Sequence, residues 1–98
     1  MGYVYILSNG HNNVLYIGVT TDLIKRLAEH SSGSGSKFTR KYNCDKLVYY
    51  EVHQSIEEAI ERETQLKWWH REWKRKLIEK HNPRWADLGK DLRGNPSI

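Results

Sequence analysis

Cysteine is almost missing from this chain. Cys44 is the single one among 98 residues, which excludes an internal disulfide and suits a reducing compartment. Long apolar runs are missing too: none approaches the ~18 residues of a membrane span. Met1-Gly2-Tyr3 does not begin a signal peptide, so the expectation is a soluble, cytoplasmic protein with no membrane partner. There is no CxxC or HxxxH pair, which leaves His30, His53, His70, His81 and Cys44 without a zinc-site spacing. No phosphate-cradling GxxxxGK loop and no internal repeat occur. The length suits one domain with one core.

What is present is uneven. The formal charge is +4, yet Lys67 to Arg84 holds seven Lys/Arg against two Glu, a net +5. A basic patch of that kind suits a polyanion, and nucleic acid is the usual one. Lys37-Phe38-Thr39-Arg40-Lys41-Tyr42 interleaves three cations with two aromatics and a hydroxyl. That mixture suits a phosphate backbone with stacked bases, with Lys37, Thr39, Arg40, Lys41, Lys67 and Arg71 as contacts. An ordinary solvated loop anchored by Phe38 and Tyr42 would read the same way. Ser31 to Ser36, with nothing apolar, reads as a flexible loop within the domain.

The first 30 residues organise the rest. Tyr3-Val4-Tyr5-Ile6-Leu7 and Val14-Leu15-Tyr16-Ile17-Gly18 are strand-like, and the polar Ser8 to Asn13 between them contains an Asn-Gly step, so the pair forms a hairpin. Tyr3, Tyr5 and Leu7 share a face of the first strand, Tyr16 and Gly18 share a face of the second, and pairing can bring Tyr5 and Tyr16 together. Gly18 is expected to end its strand. A helix follows, capped by Thr20 or Thr21 with Asp22 in its first turn. Leu23, Arg26, Leu27 and His30 fall on one stripe of it. An arginine and a histidine on the inward face either line a cleft and meet an anion or snorkel to the helix edge.

Leu47 to Val52 is a third strand, after a turn at Asn43-Cys44-Asp45. Ser55-Ile56-Glu57-Glu58 is a capping box, so a helix starts near Ile56. Its stripe runs Ile56, Ala59, Ile60, Glu63, Leu66 and Lys67, placing a carboxylate where an apolar residue belongs. A metal ion or Arg26 could compensate Glu63, whereas Glu61 faces solvent. A bend is expected at Trp68 to His70, followed by a second segment with Trp69, Trp73 and Leu77 inward and Trp68 off the stripe. Pro83 ends that helix at Asn82, and Ala86 to Ile98 has little to bury and should fray.

These residues resemble the GIY-YIG nuclease family. Tyr3-Val4-Tyr5 stands in place of Gly-Ile-Tyr, Tyr16-Ile17-Gly18 is the YIG element unchanged, and Asp22 to His30 is similar to the family's next helix. The likeness is to its small single-domain members and extends to about Leu88. It implies an α+β domain over residues 1–88, with 89–98 as a frayed tail. The architecture implied is a three-stranded, mainly antiparallel sheet flanked by helices in the order ββαβαα. The implied activity is that of a metal-dependent DNA endonuclease.

Family glutamates on a later helix bind one divalent metal, and Arg62 to Lys67 resembles that segment, implying Glu63 as ligand to Mg²⁺ or Mn²⁺. One motif tyrosine acts as base in the family, here Tyr5 or Tyr16 with the other as partner. Arg26 would grip phosphate, His30 would bind phosphate or relay a proton, and Gly18 and Asn82 would help to order the site. Two departures stand out: Phe38 lies where some relatives have a catalytic Tyr or His, and Val19 where some repair relatives have a lysine.

With no further domain to read a long duplex, single-stranded, branched or damaged DNA is mildly favoured, or a protein partner that supplies targeting. The alternative is a catalytically silent nucleic-acid-binding module. A third reading, a protein-interaction domain with an exposed tryptophan surface, predicts indifference to salt, whereas phosphate binding weakens steeply with it.

Overall fold

The computed structural model describes residues 1–32 and 36–92. Strand β1 (Gly2–Ser8) is central, with β2 (Leu15–Thr20) and β3 (Lys46–His53) on either side, both antiparallel to it. Helix α1 (Leu23–Ser31) follows β2, then a short α2 (Lys37–Tyr42). After β3 come α3 (Ile56–Trp68), α4 (Arg71–His81) and a four-residue α5 (Gly89–Leu92). This is the expected α+β architecture in the order ββαβαα, with α2 and α5 as additions. No helix among the described residues is long and apolar enough to cross a membrane.

Alternation along β1 makes two cores. Val4 and Ile6 pack with Ile17, Val48, Ala59, Leu66 and Ile78 beneath α3 and α4. Tyr5 and Leu7 pack on the other face with Leu23, Leu27 and Leu47. Each wholly buried Leu or Ile contributes about 1.5–3 kcal/mol relative to exposure. At Gly2, α3 lies so close over β1 that an added Cβ would come within 2.8 Å of the Ile56 and Ser55 backbone. The Ser55 side chain accepts from the Glu58 N–H at 3.2 Å, starting α3 where the capping box predicts. Arg62 clamps α3 to β3 by donating to both carboxylate oxygens of Glu51. Burial pushes the Glu51 carboxyl up, but Arg62, Tyr49 and His53 together hold it below its ordinary value.

Several expectations need correction. Lys37 to Tyr42 is helical rather than a loop: Ser36 caps it by accepting from the Thr39 N–H, and Asn43 closes it in the left-handed region. The cap of α1 is Asp22 itself, which accepts from the Lys25 N–H at 3.1 Å. Gly18 does not end its strand, since β2 continues to Thr20.

The bend falls where expected, with Trp69 extended between α3 and α4 (φ −68°, ψ 147°). Trp69 and Leu77 pack, partly buried, against the first core as expected, but Trp73 is 55% exposed and Ile78 is wholly buried; Trp68 is exposed. Ala86 to Leu92 docks instead of fraying. The Leu88 N–H donates to the Leu47 carbonyl at 2.8 Å, the Leu47 N–H donates to Asp87, and Leu88 and Leu92 pack on the second core. The flexible segment expected at Ser31 to Ser36 lies partly outside the described residues, as does the chain beyond Leu92.

Candidate active site

The tyrosine face of the sheet builds the site. Tyr5 pairs across the hairpin with Gly18, and Tyr16 with Leu7, so the two tyrosines are diagonal neighbours with ring centroids 6.3 Å apart. A Cβ at Gly18 would fall onto the Tyr5 ring and hydroxyl. Glycine therefore lets the phenol lie across β2 toward α1. Helix α1 answers with its inward stripe: Leu23, Leu27 and His30 are buried, and Arg26 is half-buried at the rim.

Tyr5 is the hub. Its hydroxyl accepts from Arg26 Nε at 3.2 Å and lies 3.2 Å from His30 Nε2. Arg26 also donates to Glu29 at 3.0 Å, so it lines the cleft and snorkels at once. His30 sits edge-on to both tyrosine rings, with centroids 5.9 and 5.8 Å away. Behind it, His30 Nδ1 lies 3.2 Å from Thr39 Oγ1.

Burial pushes the Tyr5 phenol up to about 12, against the pull of Arg26. Its hydrogen bond to Tyr5, then that to Glu29, raises the Arg26 pKa further, so the guanidinium stays charged. Burial and then the charge of Arg26 lower the pKa of His30, favouring the neutral ring at pH 7. The arrangement thus holds a fixed cation, a protonated phenol and a neutral imidazole in contact, which can bind an anion and carry a proton inward.

Glu63 lies on α3, against the other face. Its side chain is 16% exposed, and the charge that compensates it is Lys67, 3.2 Å away, rather than Arg26. Lys67 in turn lines a groove of about 280 Å³ with Tyr16, Ile17, Phe38 and Lys74. A second groove carries Arg26 and Glu29 on one wall and Ile56 and Ile60 on the other. Both grooves run along β2, the edge strand, and Glu63 falls on α3 between Ile60 and Lys67. The β2 edge thus carries the grooves lined by Arg26 and by Tyr16, with Lys67, the partner of Glu63, in the one that Tyr16 lines.

Glu63 suits a divalent ion of the Mg²⁺ kind: one partly exposed hard oxygen donor, with an exposed lysine able to swing aside. No group of three or more His, Cys, Asp or Glu is drawn together among the described residues.

The expected nucleic-acid contacts divide. Lys37, Arg40 and Lys41 are exposed on α2, and Lys67 at the groove. Arg71 is exposed but donates to the Asn13 carbonyl of the hairpin turn. Thr39 is buried at 5% exposure and committed to His30, so it is no free phosphate contact. Asn82 is buried on the opposite face, donating to the Val48 and Ala86 carbonyls and accepting from the Ala86 N–H. It orders the segment after α4 rather than the tyrosines. Thr39 is the site residue whose place sequence reasoning missed. A serine three residues before it, poised to cap a helix, was the available signal.

The family model of the GIY-YIG catalytic domain matches residues 1–77. A UPF0213 protein of Staphylococcus haemolyticus is 42% identical over 77 residues, covering 79% of this chain and 93% of that protein. One from Haloquadratum walsbyi is 39% identical over 77 residues, with 79% and 85% covered. The solution NMR structure of a UPF0213 protein from Bacillus halodurans superposes with a TM-score of 0.57 at 34% identity, covering 92% of this chain and 96% of that one.

Proposed function

The chain belongs to the GIY-YIG family, a nuclease family, and we propose that it is a metal-dependent endonuclease that hydrolyses phosphodiester bonds of DNA, single-stranded or branched in preference to long duplex. The observation that carries this reading is the Tyr5 hydroxyl held between Arg26 Nε and His30 Nε2, each at 3.2 Å, beside Tyr16. A silent binding module has no use for a buried phenol matched to a neutral imidazole.

Tyr5 is 1% exposed and cannot itself meet a water in the groove, whereas Tyr16 is half-buried and lines it. Tyr16 is therefore the tyrosine that takes the proton of the attacking water. As it does, it passes its own proton to the Tyr5 oxygen, and Tyr5 passes its proton to His30 Nε2. The water oxygen bonds to phosphorus, the P–O bond to the leaving strand breaks, and solvent protonates the leaving oxygen. Arg26, charged throughout, grips the non-bridging oxygens as negative charge builds on them. Glu63 would hold the divalent ion, Mg²⁺ or Mn²⁺, which when bound supplies Lewis-acid stabilisation of the leaving oxygen. Lys67 and the exposed cations of α2 hold the strand along the β2 edge.

The test is cleavage of labelled single-stranded, branched and duplex DNA in Mg²⁺, Mn²⁺ or EDTA. Parent protein should cut only with metal. Glu63→Ala and Arg26→Ala, each folded by circular dichroism, should lose at least a hundredfold in rate, in line with about 3 kcal/mol for a removed transition-state contact. Salt-sensitive binding with no cutting on any of the three DNAs would replace this reading with the silent module.

A further inference from the structure

The hydrogen bonds around His30 have a direction, and it is imposed from behind the ring. Thr39 Oγ1 lies 2.9 Å from the Ser36 carbonyl oxygen, which has no proton to offer, so the threonine hydroxyl donates there. Ser36 Oγ, 3.2 Å away, donates to Thr39 Oγ1. With its one proton committed, Thr39 Oγ1 can only accept from His30 Nδ1 at 3.2 Å. His30 therefore carries its proton on Nδ1, and the neutral ring turns a lone pair at Nε2 toward the Tyr5 hydroxyl. Arg26 Nε–H occupies the phenolic oxygen from another side, leaving the Tyr5 proton directed at His30.

We infer that Thr39 is a positioning residue for the proposed hydrolysis: it fixes the Nδ1–H tautomer of His30, which makes Nε2 the acceptor for the proton leaving Tyr5. Thr39 acts through His30 and needs no contact with substrate. Its side chain is buried beside the ring, and its position on α2 ties the tautomer to the Ser36 cap. Two faults would follow from its loss. An imidazole free of such a partner favours the proton on Nε2, which would then donate toward Tyr5 instead of accepting from it. The imidazolium formed during reaction would also lack an acceptor for its Nδ1–H. This role rests on the endonuclease reading for its catalytic consequence, but the tautomer can be read without DNA or metal.

The experiment combines a long-range ¹⁵N–¹H spectrum of histidine-labelled protein at pH 7.5 with saturation kinetics for parent, Thr39→Val and Thr39→Ser. Valine keeps the shape of threonine and the backbone bond to Ser36 Oγ. Expected are an Nδ1–H pattern for His30 in the parent and a change to Nε2–H in Thr39→Val. The kcat of that variant should fall at least tenfold with KM unmoved, and Thr39→Ser should restore both. An Nε2–H pattern in the parent would overturn the assignment, and so would Thr39→Val with the parent's tautomer or the parent's kcat. The parent spectrum decides the tautomer even if the valine variant fails to fold. An Nδ1–H spectrum in a chain that cuts nothing would refute the endonuclease reading and leave the tautomer assignment standing.

Discussion

Because a Cβ at Gly18 would fall onto Tyr5, the size of residue 18 sets where that phenol can lie. Gly18→Ala must push the ring off Arg26 and His30 or spread the hairpin. It should lower stability by about 1–3 kcal/mol, the usual range for overpacking, and slow cutting at least tenfold. Gly10→Ala is the control: nothing lies within 4 Å of its Cβ, so urea denaturation should place it within about 0.5 kcal/mol of the parent. Equal effects at the two positions would contradict the account. Two titrating residues of the site make stability depend on pH. His30 has a folded pKa below its ordinary value, so the unfolded chain binds more protons and stability falls as pH drops below about 6.5. Tyr5 is the reverse case: with its pKa raised to about 12, the unfolded chain loses its proton first and stability falls as pH rises above 10. Denaturation midpoints across pH should be widest between those limits.

Helix α4 and the segment after it show what side-chain bonds do between elements. Asn82 joins the end of α4 to β3, and Asn82→Ala would leave the buried Val48 carbonyl without that donor. A loss of about 1–3 kcal/mol in urea denaturation is expected, against about 0.5 kcal/mol or less for Trp68→Ala at an 85% exposed position. The same elements show what the sequence conveys. β1, β2 and α3 are legible because alternation, the Asn-Gly turn and the capping box act locally and agree. In the tryptophan stripe, Trp69 reaches the core from the extended break and Leu77 from α4, while Trp73, in the first turn of α4, is left exposed: spacing carries a face forward only while a helix is continuous. Helix α2 is too short for a period to show, and Leu88 and Leu92 read as a tail because their partner, Leu47, is 41 residues before the first of them. Of the candidate site, Arg26 and Glu63 stand out in the sequence as charges on apolar stripes. The Gly18 requirement and the Thr39 contact are cross-element facts that no local pattern encodes.

At the scale of the molecule, the proposed chemistry falls at one edge of the sheet, with α1 and α2 on one face of β2 and α3 on the other. The opposite edge, β3, receives the docked segment through Leu47. That segment also reaches behind the site: Asp87 and Lys90 line a cavity of about 520 Å³ that includes His30 and Thr39. A chain stopped at Ala86 would retain every residue of the tyrosine–arginine–histidine group. Removing that wall would widen the pocket and expose the imidazole further, and its pKa should climb toward the ordinary histidine value in an NMR titration; an unmoved pKa would refute this. The segment from Asp87 to Lys90 is thus part of the wall behind the imidazole. Anyone trimming the chain, or fusing another protein to it, would be adjusting the acidity of a group more than 50 residues upstream.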